Sequence, residues 1–525
     1  MQKTLESKMF SIYTIFFCFV IMQSESARIL AVFPTPSISH QIVFQPLTQE
    51  LAKRGHEVVV ITTDPAFTKE SAPKNLREID LHDLSYNITK SAKEVFISGK
   101  KKDLNQQVQL VLEALPYITK QQFLSEEVQS LLRDSSVAFD LLIVELLSRP
   151  ALAYSHIYKV PVIEISSFGG SIGTFEMLGA SSHPLLYPLA FQQKSYNLTL
   201  WEKIIELYSF SFIYNLAKNL DDNNSEVMRR IVDTNIPPIG ELEKKVQMCF
   251  LNNHPLWDFN RPVPKNVLYI NGIPLKPNKA LPEDLKTFID KSKHGAIYVS
   301  FGTNYSPSYL PQEKIQVLMN VFSQLHYNVL LKWDKEDISS CPKNVRVQKW
   351  YPQSDLLKHP NIKAFVTQGG LQSTDEAIDA GVPLVAIPLQ GDQWLNTEKY
   401  EYYNIGIKLE MESLTEDTFR NAIKTVVRDA SYRRNILKLR AIMRDEAQTA
   451  LQRAVWWTEH VLRHGGAHLR APTAGVSWSE YYEIDLVVIV LIVTLTSLVM
   501  IKYLIYSAVS RIFAPTLKLP EWKSD

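Results

Sequence analysis

The chain predicts two doubly wound α/β domains facing a cleft, with a membrane-spanning helix after them. Three observations predict it. Apolar strand segments alternate with helical ones in both halves of the 525 residues, and the first half opens on a strand–helix–strand unit. A proline- and glycine-marked stretch, Gly272 to Pro282, separates the halves. Near the carboxyl end, Leu486 to Ile501 carries no charge, and apolar character resumes past Lys502 from Tyr503 to Val509, about the length of a bilayer span.

The elements follow in order. Lys3 and Lys8 precede an apolar run, Phe10 to Met22, followed by small Ser24 and Ser26. This reads as a cleavable signal peptide over residues 1–26, with Ala27 as the mature start. A first membrane helix is the other reading, for which the run is short. The first domain is expected over 27–271. Arg28 to Phe33 is its opening strand, and a loop from Pro34 to Ser39 follows. A helix then runs from about His40 to Arg54, with Val43, Leu47 and Leu51 four residues apart. Gly55 ends it, and Glu57 to Thr62 is the next strand. Helical segments fill about Ser91 to Asp134, and further strands are expected at Phe139 to Val144 and Val160 to Ser166. A linker at 272–284 leads to a second domain over 285–484. There Ala296 to Ser300 is a strand, Pro311 to Leu325 a helix, and Asn328 to Lys332 and Val345 to Gln348 are strands. The membrane helix is placed at 485–509 and a tail at 510–525. The tail carries Arg511, Lys518 and Lys523, against Glu480, Glu483 and Asp485 on the other side. The positive-inside rule puts that tail in the cytosol and the bulk of the chain in the lumen of the endoplasmic reticulum.

Composition narrows the function. A formal net charge of +1 suggests no nucleic-acid partner. Cys18 falls in the signal peptide, and Cys249 and Cys341 fall in different domains, so there is no cysteine framework, though one disulfide stays open. No His/Cys group has zinc spacing. Asn87, Asn197 and Asn223 head glycosylation sequons, and Asn304 heads another that falls where an active site is expected.

The most informative run is Phe365 to Asn396, FVTQGGLQSTDEAIDAGVPLVAIPLQGDQWLN. It reads as strand end, glycine turn at Gln368-Gly369-Gly370, helix from Ser373 to Ala380, buried strand from Pro383 to Pro388, then a polar loop with Asp392 and Gln393. Glycine lets backbone approach a ligand, and the helix N-terminus suits an anion such as a diphosphate. Asp392 and Gln393 offer groups suited to sugar hydroxyls. This run resembles, almost position for position, the signature of the UDP-glycosyltransferases, the membrane-bound glucosyl- and glucuronosyltransferases of animals, and overall the chain is nearer their insect-type members. The likeness covers nearly the whole chain. It includes His294 to Thr303, the segment Trp350-Tyr351-Pro352-Gln353, and Arg453 to Gly465, which is similar to the family's final helices crossing back to the first domain.

The resemblance implies a GT-B fold and a set of roles. His40, at the end of the first strand, is the implied base that takes the acceptor hydroxyl's proton. Its carboxylate partner falls on Glu145, where the family has aspartate; Asp140 is the runner-up, and a strand-end salt bridge is the plain alternative for Glu145. Trp350 is expected to stack on uracil, Gln353 to contact the uridine, and Glu376 to accept from the ribose. Gly370, Gln372 and Ser373 are expected against the diphosphate. Gln368 joins them, where many members have histidine. Gly302, Thr303 and Asn304 are expected to line the cleft, and Asp392 and Gln393 to hold the sugar.

The implied reaction is metal-independent displacement at the anomeric carbon with inversion. UDP-sugar serves as co-substrate and no cofactor is implied. Expected partners are that donor, a small lipophilic hydroxyl acceptor, as in detoxification or conjugation, and the membrane; a homo-oligomer is left open. Glucose is favoured as the sugar and glucuronic acid is the alternative. A different class of reading is a tethered protein that binds UDP-sugar or a lipophile without turnover, its site weakened by Gln368 and Glu145. Aromatic residues cluster in Leu185 to Leu220, including Tyr187, Phe191, Trp201, Tyr208, Phe210, Phe212 and Tyr214. They border an acceptor pocket, face the membrane, or belong to amphipathic helices covering the sheet.

Overall fold

The computed structural model describes residues 26–68, 70–96, 104–192, 194–275, 279–335 and 341–513. The expected signal peptide up to residue 25, part of the linker and the tail beyond 513 lie outside the described residues.

Two parallel sheets form the framework. The first contains β1 (Arg28–Phe33), β2 (Glu57–Thr62), β3 (Leu76–Asp80), β4 (Leu141–Glu145), β5 (Val162–Ser166), β6 (Val246–Leu251) and β7 (Val267–Tyr269), in the order β3-β2-β1-β4-β5-β6-β7. The second contains β8 (Ala296–Ser300), β9 (Asn328–Lys332), β10 (Val345–Gln348), β11 (Ile362–Thr367), β12 (Leu384–Ala386) and β13 (Gly406–Lys408), in the order β10-β9-β8-β11-β12-β13. Strands covered by helices on both faces must be apolar on both faces. That is why β1, β4 and β8 are apolar over most of their length; β1, β2, β8, β9 and β10 have the bounds the sequence predicts.

Several elements differ from the expectation. Helix α1 (Ile38–Lys53) begins two residues earlier than predicted, which puts His40 inside its first turn. The Ser91–Asp134 region resolves into α2 (His82–Phe96), α3 (Leu104–Leu124) and α4 (Glu126–Arg133). Strand β4 is shifted two residues past its expected start and one past its expected end. Edge strand β3 was missed because Arg77, Glu78 and Asp80 interrupt its apolar pattern. Much of the aromatic segment belongs to α5 (Leu200–Ile231). Phe191 and Phe210 pack against the first core, while Trp201, Tyr208 and Phe212 are exposed.

In the second domain, α6 (Gln312–Gln324) precedes β9, and α7 (Leu371–Ala380) follows the glycine turn. The expected polar loop at Gln393 is instead α8 (Gln393–Tyr402). Its composition looks exposed, yet Trp394, Asn396, Thr397, Lys399 and Tyr400 are buried. The two halves exchange indoles. Trp394 joins the apolar core of the first sheet, and Trp257, carried beyond β6, joins that of the second. Each buries about 200 Å² of side chain, roughly 5 kcal/mol at about 25 cal/mol per Å². The cleft is therefore held by packing as well as by hydrogen bonds. Helix α9 (Ala450–His464) returns to the first domain, where Ala454, Val455 and Val461 pack with Val43 and Leu47 of α1. Last, α10 (Ile484–Phe513) is long and apolar enough to cross a membrane, and it buries no residue against the rest of the chain.

Candidate active site

In each sheet the winding direction changes at one place, between β1 and β4 and between β8 and β11. Ligands of doubly wound sheets bind outside the carboxyl ends of the strands at that place. The sequence-predicted residues gather at both.

At the first, the chain leaves β1 and enters α1, bringing His40 over the end of β4. His40 Nδ1 lies 2.7 Å from Glu145 Oε1. The other carboxylate oxygen, Oε2, accepts the Thr35 backbone N–H at 3.1 Å. Glu145 is fully buried, whereas His40 is partly open to the cleft. The longer glutamate side chain thus reaches the imidazole. A carboxylate beside Nδ1 calls for the proton on that nitrogen, leaving Nε2 as the acceptor. The edge of Phe168 packs on the ring at 6.0 Å between centroids. Asp140 does not compete for this role. It stands at the opposite end of β4, where its Oδ2 accepts the Arg28 backbone N–H at 2.8 Å.

At the second place, two glycines let the loops meet. Gly302 has φ +80°, and a Cβ there would lie 2.1 Å from Gln368 Nε2. Gly369 has φ +89°, and a Cβ would lie 2.5 Å from the Thr397 methyl. Gly369, within the glycine turn that the sequence predicts, is thus a position that demands glycine. Gly370 caps α7, which starts at Leu371 rather than Ser373, so the free N–H groups of its first turn include those of Gln372 and Ser373. Gln368 is buried, and its Oε1 has no hydrogen-bond partner.

The expected nucleotide residues form one connected group. Gln353 Nε2 donates to Ser373 Oγ at 2.9 Å and to Glu376 Oε2 at 2.7 Å, and Gln353 Oε1 accepts from Tyr298 at 3.1 Å. Burial raises the Glu376 pKa, against the lowering effect of the Gln353 hydrogen bond. Trp350 is 60% exposed, an open platform for a base. Lys332, which sequence reasoning missed, sits 4.4 Å from the Trp350 ring centroid and donates to the Gly302 carbonyl at 2.9 Å. Gln372 also bonds through its side chain. Its Nε2 donates across the cleft to the Ser167 carbonyl at 2.8 Å, so its amide joins the domains.

Asp392 and Gln393 start α8. Asp392 Oδ2 accepts from Asn396 Nδ2 at 2.6 Å, and the same amide donates to the Gly369 carbonyl at 3.0 Å. Burial raises the Asp392 pKa; the Asn396 hydrogen bond and the charges of His40 and Lys399 oppose it. That coupling puts Asp392 in the same electrostatic neighbourhood as the His40–Glu145 pair. Gln393 Oε1 is taken by the backbone N–H groups of Leu389 and Gln390, at 2.8 and 2.9 Å, which leaves its NH₂ as the donor end. Asn396 was missed because the helix was read as a loop. Its spacing of four from Asp392 carries meaning only on a helix.

Other expectations resolve simply. Thr303 and Asn304 are exposed at the cleft, and Asn304 Oδ1 accepts from Ser37 Oγ of the opposite domain at 3.2 Å. Asn87, Asn197 and Asn223 are exposed. Cys249 is buried and Cys341 exposed, and both are free, which removes the open disulfide.

Comparison with known proteins places the chain among sugar transferases by family and by fold. The family model for UDP-glucoronosyl and UDP-glucosyl transferase matches residues 28–517. The ecdysteroid UDP-glucosyltransferase of Lymantria dispar multicapsid nuclear polyhedrosis virus is 37% identical over 494 residues, covering 92% of this chain and 97% of that protein. Its counterpart in Spodoptera littoralis nuclear polyhedrosis virus is 35% identical over 492 residues, covering 90% and 95%. Among solved structures, the glycosyltransferase SnogD from Streptomyces nogalater superposes with a TM-score of 0.54 at 18% identity, covering 83% of this chain and 99% of that one. That likeness concerns the fold.

Proposed function

This chain belongs to the UDP-glucoronosyl and UDP-glucosyl transferase family, and from that premise we propose that it moves glucose from UDP-glucose, with inversion, onto a hydroxyl of a small lipophilic acceptor of steroid-like character. The transfer of a hexose from a UDP-sugar to a hydroxyl follows from membership. The sugar, the acceptor and the residue roles are the proposal.

One observation carries it. The His40–Glu145 pair, at 2.7 Å, opens onto the cleft beside Asp392. His40 Nε2 takes the proton of the acceptor hydroxyl as that oxygen attacks the anomeric carbon. The bond to the UDP oxygen breaks on the opposite face, so configuration inverts. Glu145 stabilises the imidazolium that forms. Negative charge develops on the departing diphosphate, and the first-turn N–H groups of α7 are already aimed at it. The proposed mechanism uses no metal ion. Residues 27–271 bind the acceptor and 285–484 the donor in this reading.

Glucose is favoured over glucuronate by charge. A uronate carboxylate near Asp392 would be repelled unless a cation met it. Lys399, whose charge reaches Asp392, has its ammonium on the Trp257 carbonyl at 2.5 Å, and burial lowers its pKa to about 7. The acceptor class comes from the two viral relatives, both named for ecdysteroids. The reading as a binding protein without turnover is tested directly: UDP release from UDP-glucose on adding a phenol supports transfer, and binding without release supports the alternative.

Asp392 gives a prediction of its own. Asp392→Ala should lower turnover by about 10²-fold and raise the donor KM, because the carboxylate holds sugar hydroxyls into the transition state. Affinity for UDP alone, measured by calorimetry, should stay within about threefold. A collapse of UDP affinity would make Asp392 a folding or nucleotide residue.

For topology, the apolar α10 supports a single-pass anchor with the catalytic part in the lumen of the endoplasmic reticulum. Protease added to sealed microsomes should trim only the short tail, with the large fragment digested after detergent. Loss of that fragment from intact vesicles would reverse the orientation.

A further inference from the structure

Helix α8 carries Asp392 at its start and turns one side toward the first domain. The Pro255–Asp258 turn of that domain meets it at three points. Trp257 Nε1 donates to Asn396 Oδ1 at 3.1 Å, Lys399 Nζ donates to the Trp257 carbonyl at 2.5 Å, and the Tyr403 hydroxyl donates to the Leu256 carbonyl at 2.8 Å. Asn396, Lys399 and Tyr403 recur at helical spacing, so one face of α8 and its cap is bound along its length.

The first of these contacts leads to the carboxylate assigned to the sugar. Asn396 and Trp257 are both buried. The Asn396 amide has three partners, and two of them fix its sense independently. An indole N–H only donates, so Trp257 requires Oδ1. A backbone carbonyl only accepts, so Gly369, at 3.0 Å, requires Nδ2. The other proton of that nitrogen then falls to Asp392 Oδ2 at 2.6 Å. A flipped amide would set its oxygen against two acceptors and its nitrogen against the indole N–H, a buried mismatch at every contact. Burial raises the Asp392 pKa, and the Asn396 bond is the largest influence opposing that rise. The amide thus fixes where the carboxylate oxygen lies and favours its ionised form.

We propose that Asn396 is a positioning residue for the donor sugar, aligning the Asp392 carboxylate, and that Trp257 sets the sense of its amide from across the domain interface. This rests on the reading of Asp392 as the group that holds sugar hydroxyls. The first domain thereby takes part in holding the donor without touching it, because the carboxylate is fully aligned only while the Pro255–Asp258 turn is docked on α8. The Gly369 bond gives Asn396 a different possible task, bracing the glycine turn ahead of α7, and the experiment separates the two.

The test is a double-mutant cycle on the full chain in detergent micelles, with UDP-glucose and a phenol. Asn396→Ala should lower kcat/KM for UDP-glucose by about 10- to 100-fold, the effect of losing a hydrogen bond to a buried charge. UDP affinity, read as product inhibition, should stay within about threefold. In the Asp392→Ala background the same substitution should lower the rate by less than about threefold, since the group it aligns is already gone. Trp257→Phe, which deletes the N–H and keeps an aromatic ring, should lose about tenfold alone and less than about threefold beside Asp392→Ala. Losses that multiply in the double variants would overturn the proposal, as would wild-type kinetics in Asn396→Ala. A fall in UDP affinity with thermal unfolding unchanged would also overturn it, by assigning Asn396 to the glycine turn. If Asn396→Ala does not unfold cooperatively, the Trp257→Phe cycle decides by the same criteria. Asp392→Ala at the wild-type rate would remove the Asp392 reading and this proposal with it, and no phenol transfer by wild type would count against the transfer reading itself.

Discussion

His40→Ala is expected to lower turnover of any hydroxyl acceptor by about 10³-fold, the range a positioned general base contributes. UDP affinity should change by less than about twofold, because the nucleotide residues stand on the other sheet. The imidazole is partly open to the cleft and bonded through Nδ1 to Glu145, so its loss removes the proton acceptor without opening a core cavity. Thermal unfolding of the variant should match wild type. Turnover within a few-fold of wild type would remove His40 from the mechanism.

Glu145→Gln is expected to be slow but measurable, down about 10²- to 10³-fold, and the reason is the hydrogen-bond inventory. Glu145 now accepts from two donors, His40 Nδ1 at 2.7 Å and the Thr35 backbone N–H at 3.1 Å. A glutamine has one oxygen. If that oxygen keeps the Thr35 N–H, its NH₂ faces Nδ1 and drives the ring proton to Nε2, the nitrogen needed as base. If it faces Nδ1, the buried Thr35 N–H meets an NH₂ and loses its partner. Either outcome costs rate, and the negative charge that stabilises the imidazolium is gone in both. The pH–rate profile separates this from a structural role: the limb assigned to His40 should move, whereas simple loosening of the strand end would leave it in place. An unshifted profile with full rate would return Glu145 to a strand-end contact.

Read along the chain, what could be recognised was what local pattern encodes. A parallel strand covered on both faces must be apolar throughout, so β1, β8 and β9 announce themselves without their neighbours. A glycine turn before a helix is also local, and so is the apolar length of α10. The likeness of Phe365–Asn396 to a known signature then assigned roles to residues whose individual chemistry is ordinary.

Where local pattern failed, contacts distant in sequence had changed what a residue costs to bury. The segment from Gln393 to Tyr402 is polar enough to read as a loop, yet it is a helix because Trp394 is taken into the first domain's core and Asn396 is held by Gly369 and Trp257. Nothing local to Gln372 signals that Ser167, 205 residues away, takes its side-chain amide. Edge strand β3 exists because β2 offers it a ladder, its charged side chains notwithstanding.

The two doubly wound halves, the long apolar helix α10 and the candidates His40, Asp392 and the α7 turn are legible in the sequence alone, because periodicity, turn chemistry and motif spacing are properties of neighbouring residues. Distant contacts distinguish Glu145 from Asp140 as the partner of His40, demand glycine at 369, and seat Asn396 between Asp392 and Trp257. Those outcomes depend on which distant groups share a low-dielectric space, since burial there sets the strength of a hydrogen bond, the charge of a carboxyl and the cost of leaving either unpaired.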